Sequence, residues 1–550
     1  MSIKRLKGYS HAFQGFRVEG RNGVYQTTGF SYYGYGSVAH CYKLRKSAGF
    51  TLGGHQQKVR SGVNLAGKGC VEGDVCRNLV RVCIVKEIEH FFVVVLTGSK
   101  YYKLYVSVCK LVHYSFHKLQ TFVLYQSGNH SHHGYIRVNF KSQLFLKIDP
   151  FASQPVPYVE TGFYLDYDKV GNHPFHHAGM IYVQDPGAMA TAECLDIQPD
   201  WWVLDLCAAP GGKSSQLRNK LGENGVLISN EIVPSRCKIL TGNMERLGFR
   251  NTATTCLDPA RVAQLFPETF DLIMVDAPCS GEGMFRKDDT AINEWSEDNV
   301  LHCARRQKGI LEQAAAALRP GGYLVYATCT FSLEENEMVV DDFLQKHPDF
   351  ELIPVRDVVR QYTDDGIAYE GCVCRNLQDA RRFYPHKSRG EGQFMAVLRD
   401  TRTSTARLGQ GKKSIQKVDP VVIDFLRDTL VEFDLEQVSM YNGNPVYAAP
   451  DLAMDKGVAF SCGVTIGEIR KNYIQPHHQF FMAMGRQFRR QIELAPDSPE
   501  LERYLHGEEI TVDCENGWAV ITTMGCSVGG VKVTGGRAKN HYPKGLRKLK

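Results

Sequence analysis

At 550 residues and 61.8 kDa the chain is too long for one hydrophobic core, and 43% hydrophobic with 23% charged residues is the balance of a globular chain rather than a disordered one. No run is long and apolar enough to span a bilayer, and no signal-peptide core opens the sequence, so a cytoplasmic protein without membrane contact is expected. Seventeen scattered cysteines without a Cys-x-x-Cys pair argue against both a disulfide framework and a zinc site, and no metal is expected.

The net charge of +6 conceals an asymmetry. Residues 1–134 hold 18 Lys+Arg against 5 Asp+Glu, leaving 47 against 54 for the remainder. This first quarter has little helical periodicity and follows no recognisable folding pattern. From about Arg137 the texture is that of an α/β protein: a lead-in segment over 135–199, with a helix entry at Gln184–Met189, then a first strand at Val203–Leu206. Strand and helix signals alternate after it: strand Val226–Ser229, helix Pro234–Leu247, strand Asp271–Val275, a long helix around His302–Leu318, strand Tyr323–Ala327 and helix Leu333–His347. The alternation predicts a doubly wound, mostly parallel, Rossmann-like sheet over 200–400. Cys372 and Cys374, two apart, are expected to face one side of a strand. Residues 401–418 read as a polar linker. Region 419–550 opens with a helix at Pro420–Phe433 and continues from Val464 as short glycine-punctuated strands of a small β-rich domain. It ends in a basic tail, Lys539–Lys550, suited to phosphates or simply to water.

The first strand runs into Cys207-Ala208-Ala209-Pro210-Gly211-Gly212-Lys213, a tight turn opening a helix. An ATP loop needs Gly-x-x-x-x-Gly-Lys-Ser/Thr, but Cys207 stands in the first glycine's place. The Gly-x-Gly-x-x-Gly of a dinucleotide site is absent too. A cofactor without a phosphate chain fits better, and S-adenosylmethionine offers a ribose diol, an adenine and an amino acid. Glu231, 19 residues after Gly212, stands near the spacing of about 20 at which an acid meets ribose hydroxyls. Asp258, at the end of the next expected strand, is a candidate for the adenine side, with a turn-forming role as the alternative.

Two further strands end in cysteine motifs, Asp276-Ala277-Pro278-Cys279-Ser280-Gly281 and Thr328-Cys329-Thr330. Open α/β sheets place ligands at this edge, so one site is expected to hold both thiols. Cys-x5-Arg is absent at both, which excludes a phosphatase. Paired thiols beside such a cofactor suit methylation of cytosine carbon 5: a thiolate adds to carbon 6, carbon 5 attacks the methyl, and a base removes the carbon 5 proton. Asp276 is placed to bond N3 and the exocyclic amine. The second thiol is a candidate for the release step, and spacing does not say which cysteine does which. Arg286 and Lys287 are candidates for the RNA backbone.

These blocks resemble the Nop/Sun family of S-adenosylmethionine-dependent RNA cytosine-C5 methyltransferases, together with Glu334-Glu335-Asn336-Glu337 after the last. The resemblance implies that Cys329 is the nucleophile and Cys279 the thiol assisting release, and that residues 207–213, Glu231, Asp258 and Asp276 line the cofactor pocket. Arg382–His386, Gly390–Phe394 and Lys539–Arg547 are similar to the subgroup acting on small-subunit ribosomal RNA, whose C-terminal domain is PUA-like and RNA-binding. The implied partner is that RNA, with no obligate protein partner and a monomeric state. Transfer RNA, or a catalytically silent assembly factor, is the alternative reading. Residues 1–134 stand outside the resemblance, either a basic RNA-binding extension or a translated stretch that the working protein lacks, with the second favoured.

Overall fold

The structure, a computed structural model, describes residues 154–548 apart from 166–169, 288, 404–417 and most of 449–456. The region 1–134 and most of the linker therefore lie outside the described residues. Within the lead-in, strands β1 (Gly162–Leu165) and β2 (Ile181–Val183) flank a single helical turn, α1 (Pro174–His177). Asp185 then caps α2 (Pro186–Thr191) by accepting from the Gly187 amide.

The central sheet follows. β3 (Trp202–Asp205), α3 (Gly212–Lys220), β4 (Val226–Asn230), α4 (Pro234–Arg246), β5 (Thr252–Thr255) and α5 (Pro259–Leu265) form one half. The other half comprises β6 (Phe270–Asp276), α6 (Asp289–Glu294), α7 (Glu297–Ala317), β7 (Leu318–Thr328), α8 (Glu337–Lys346), β8 (Phe350–Ile353), β9 (Arg381–Phe383) and β10 (Gln393–Asp400). The order β9-β10-β7-β6-β3-β4-β5 places the parallel strands β7, β6, β3, β4 and β5 together, with β10 antiparallel beside β7. The chain winds outward from β3 to β5, then crosses back to β6, so the switch point lies between β3 and β6.

Alternation along the strands explains why they read as unbroken apolar runs. Leu204, Ile228, Ile273 and Leu324 point into one core, and Val203, Leu227, Leu272 and Val325 into the other. With both faces covered, each position is buried, and each such side chain contributes about 1.5–3 kcal/mol relative to exposure.

The long helix α7 begins at Glu297, earlier than its apolar periodicity indicates, because the Ser296 hydroxyl accepts from the Asn299 amide and Glu297 and Asp298 favour the first turn. α8 begins at Glu337, later than expected, because the side chains of Glu335 and Asn336 are used elsewhere. Cys372 and Cys374 do not lie on a strand: they sit in a turn whose Val373 and Cys374 amides donate to the Asp341 carboxylate.

Beyond the linker, α9 (Pro420–Thr429) ends before Phe433. β11 (Ala459–Cys462) pairs antiparallel with β5, so the C-terminal region contributes an edge strand to the central sheet. A helix that the short-strand reading missed, α10 (His478–Met484), is buried against the meander β12 (Gly517–Thr523), β13 (Cys526–Thr534) and β14 (Arg537–Asn540). α11 (Pro499–Leu505) completes this region. The basic tail is not a free arm: Tyr542 is buried, Arg547 donates to the Tyr542 carbonyl, and Lys548 pairs with Glu502 at 2.6 Å. Among the described residues, no helix is long and apolar enough to cross a membrane, and no three His, Cys, Asp or Glu side chains are grouped to hold a metal ion.

Candidate active site

β3 and β6 end side by side at Asp205 and Asp276, on either side of the switch point. After β3 the chain turns through Cys207–Gly211, where Gly211 takes φ +110°, a left-handed conformation open to glycine, and so enters α3. The turn is pinned from outside: Ala208 donates to the Asn230 carbonyl at 2.8 Å, and the Ala209 and Pro210 carbonyls accept from Arg236 and Asn243, both at 2.9 Å. Lys213, in the first turn of α3, reaches across the switch point to Asp276 at 2.8 Å. Burial opposes the Lys213 charge, but the Asp276 carboxylate overcomes this and its pKa is raised. Gln393 of β10 approaches the other Asp276 oxygen at 3.4 Å.

Glu231 directly follows β4, is buried, accepts from the Val233 amide at 3.0 Å and faces Arg236 at 3.4 Å. Asp258 follows β5 at the same edge, is exposed, and caps α5 through the Ala260 amide at 2.9 Å. Asp205 is fully buried and accepts from the Ser214 hydroxyl at 2.6 Å; burial raises its pKa to about 7. Burial likewise pushes the Cys207 thiol up. Three carboxylates, Glu231, Asp258 and Asp276, against Lys213 and Arg236 leave a net negative edge that repels a phosphate chain and suits a cationic sulfonium, an ammonium and a ribose diol. The donor set thus fits S-adenosylmethionine.

Cys279 and Cys329 meet, with their sulfur atoms 3.1 Å apart. They follow the adjacent parallel strands β6 and β7, whose register pairs Asp276 with Ala327. Several bonds bind the two loops: Ser280 to Thr330 through their hydroxyls at 2.9 Å, the Gly283 amide to the Cys329 carbonyl at 2.9 Å, and the Phe331 amide to the Glu282 carboxylate at 3.0 Å. Gly283 is required by close approach, since a Cβ there would lie 2.7 Å from the Cys329 oxygen and 2.8 Å from that of Gly392. The hydrogen bond to Cys329 is the largest influence on the Cys279 thiol, and with burial it raises its pKa well above the usual range.

The structure gathers the predicted residues at one sheet edge. Arg286 and Lys287 stand near it too, but Arg286 pairs with Glu391 at 3.0 Å and Lys287 with Asp185 at 3.0 Å, so much of their charge is met within the protein. Sequence reasoning missed Arg236, Gln393, Gln307 and the role of Glu335. Glu335 carried a signal in the acidic block after Thr328-Cys329-Thr330 and Gln393 in the Gly390–Phe394 segment, whereas Arg236 and Gln307 carried none.

Comparison with known proteins supplies the relationship. The family of 16S rRNA methyltransferase RsmB/F matches residues 192–399, the N-terminal domain of 16S rRNA methyltransferase RsmF matches 115–186, and the methyltransferase RsmF PUA domain matches 491–548. The N-terminal match begins upstream of Arg137, where the sequence resemblance starts. A ribosomal RNA small subunit methyltransferase F from Klebsiella pneumoniae is 31% identical over 424 residues, covering 72% of this chain and 86% of its own. The corresponding protein of Vibrio cholerae is 31% identical over 413 residues, covering 71% and 85%. A solved structure of a methyltransferase homolog from Pyrococcus horikoshii is 29% identical, covers 48% of this chain and 86% of that one, and has a TM-score of 0.43. With three family domains in register along it and relatives matched over most of their length, the chain belongs to the ribosomal RNA small subunit methyltransferase F family.

Proposed function

We propose that this protein transfers the methyl group of S-adenosylmethionine to carbon 5 of a cytosine in small-subunit ribosomal RNA, with Cys329 as nucleophile and Cys279 as the base of the release step. The observation that carries the reading is the 3.1 Å contact between two thiols at the carboxyl ends of adjacent strands, beside Asp276 and the 207–213 turn. Residues 207–213, Glu231 and Asp258 would hold the cofactor, which when bound supplies an electrophilic methyl.

The chain's own groups do the rest. Cys279 keeps its proton because its bond to Cys329 and its burial raise its pKa; it donates toward the Cys329 sulfur and stabilises negative charge there. Cys329 releases its proton to solvent and the thiolate adds to carbon 6; the ring electrons pushed onto carbon 5 then form its bond to the transferred methyl, so that carbon 5 carries both a methyl and a proton. Asp276, steadied by Lys213 and Gln393, accepts from the exocyclic amine and orients the ring. Once the Cys329 sulfur is bonded to carbon 6, the largest influence holding the Cys279 proton is gone, and that proton leaves to solvent. The Cys279 thiolate then takes the carbon 5 proton. The electrons of that bond form the C5–C6 double bond, and the C6–S bond breaks to return a thiolate at Cys329.

Bisulfite mapping of total RNA from cells with and without the protein tests the assignment. The expected result is loss of 5-methylcytosine at a small-subunit position. Loss in transfer RNA would move the substrate, and no change anywhere would favour the assembly factor.

A further inference from the structure

Below the thiol pair lies a buried polar cluster that the mechanism above leaves unused. Glu335 is fully buried, and its carboxylate accepts the Ser280 amide at 3.0 and 3.3 Å and the Gln307 side-chain amide at 2.7 Å. The same Gln307 nitrogen donates to the Pro278 carbonyl at 3.0 Å. The residues on both sides of Cys279 are therefore tied to one carboxylate, directly at 280 and through Gln307 at 278. The Glu335 carbonyl accepts from Tyr326 of β7 at 2.5 Å, two residues before Thr328, and the next side chain, Asn336, bonds Thr328 at 2.5 Å and the Thr330 carbonyl at 3.0 Å. Residues 335 and 336 thus grip both thiol loops from beneath.

Two features mark this as more than packing. Gln307 leaves its own buried Oε1 without a hydrogen-bond partner, a loss that the reversed amide would not mend, since it would turn an oxygen toward two acceptors. In addition, a fully buried carboxylate is expensive, and burial raises the Glu335 pKa, whereas an uncharged acceptor would serve a merely structural bond.

We propose that Glu335, held by Gln307, is a positioning residue for Cys279 that fixes its sulfur against Cys329 and governs the release step. The role rests on the proposed covalent mechanism. The Glu335 charge is also one of the influences that raise the Cys279 pKa, which makes the thiolate, once formed, a stronger base for the carbon 5 proton.

The test uses full-length protein with Glu335→Gln, Glu335→Asp and Gln307→Ala, in two measurements. In the first, without RNA, Cys279 alkylation by iodoacetamide is followed against pH by peptide mass spectrometry. Glu335→Gln is expected to move its midpoint to lower pH and Glu335→Asp to leave it nearer the parent. An unmoved midpoint overturns the electrostatic part whatever the reaction is. In the second, release of the covalent RNA adduct is timed on denaturing gels. Loss of a charged hydrogen bond predicts release slowed about tenfold in Glu335→Gln, less in Gln307→Ala, with adduct formation kept. Release at the parental rate in both variants, or equal loss of formation and release in a folded protein, overturns the proposal. Should Glu335→Gln not fold, Gln307→Ala alone decides. Absence of adduct even in Cys279→Ala, where release is blocked, would fault the covalent mechanism instead, leaving the alkylation result to stand.

Discussion

Two clusters of buried titratable groups differ in kind. At the sheet edge the Cys279 and Cys329 thiols face each other, and the two loops that carry them are bonded together. On the other side of α4, His173, His176 and His177 of the lead-in meet His478 of α10 and Tyr542 of the tail, with the His177 Nδ1 2.7 Å from the Tyr542 hydroxyl. Nδ1 of His176, Nε2 of His177 and both ring nitrogens of His478 are buried without a hydrogen-bond partner. Burial depresses the pKa to about 3 at His176 and His478 and about 4 at His173 and His177, with Arg246 adding at His176 and His177, Lys548 at His173 and His177, and His477 and His177 at His478. These imidazoles are held neutral by burial, His177 bonded to Tyr542 and His173 capping α1 through the Phe175 amide. Burial alone does not make a site. What distinguishes the thiols is that they meet each other, and the contact with Cys329 raises the proton affinity of Cys279.

The largest effect expected beneath the thiol loops is on stability. Arg382 donates to the Glu337 carboxylate and, at 2.9 Å, to the Phe331 carbonyl, with both charged groups buried. Arg382→Met strands a buried carboxylate and should cost about 3–5 kcal/mol in denaturant unfolding, with Glu337→Gln added to it restoring part. Gly283→Ala should lower both the melting temperature and, by about 100-fold, kcat, because the new Cβ displaces the Cys329 or Gly392 backbone. Parental activity in that variant would mean that the thiol geometry is not tightly set.

At the histidine cluster the sign follows from the depressed folded values. The unfolded chain binds protons near pH 6.5 and the folded one does not, so this stability is complete above about pH 6.5 and is lost as pH falls toward 4. Melting temperature should drop over that range, and His478→Leu should flatten the dependence. The smallest effect, about 1 kcal/mol, is expected for Asp258→Ala through loss of the α5 cap. S-Adenosylmethionine affinity, measured by calorimetry, should fall in the same variant, and unchanged affinity would leave Asp258 as a helix cap alone.

Legibility followed the range of the causes. The strands β3, β4, β6 and β7 stood out because burial on both faces writes continuous apolar runs, and the two cysteine motifs because each closes such a run. Helix starts were misjudged where the first turn is polar, as at Glu297, or where its residues turn inward to hold a loop, as at Glu335 and Asn336. α10 passed for a strand because seven apolar-rich residues carry too little periodicity to tell the two apart. Gln307 lies in the middle of α7 with nothing nearby in sequence to mark it; only the fold brings it under Pro278.

Peptide mapping of RNA-linked protein from a Cys279→Ala variant tests the central assignment most directly. The account predicts a stable adduct whose cytosine is carried by the peptide containing Cys329, and none in the Cys279→Ala, Cys329→Ala double variant. A nucleotide on any other residue, or an adduct that survives loss of the Cys329 sulfur, would contradict it.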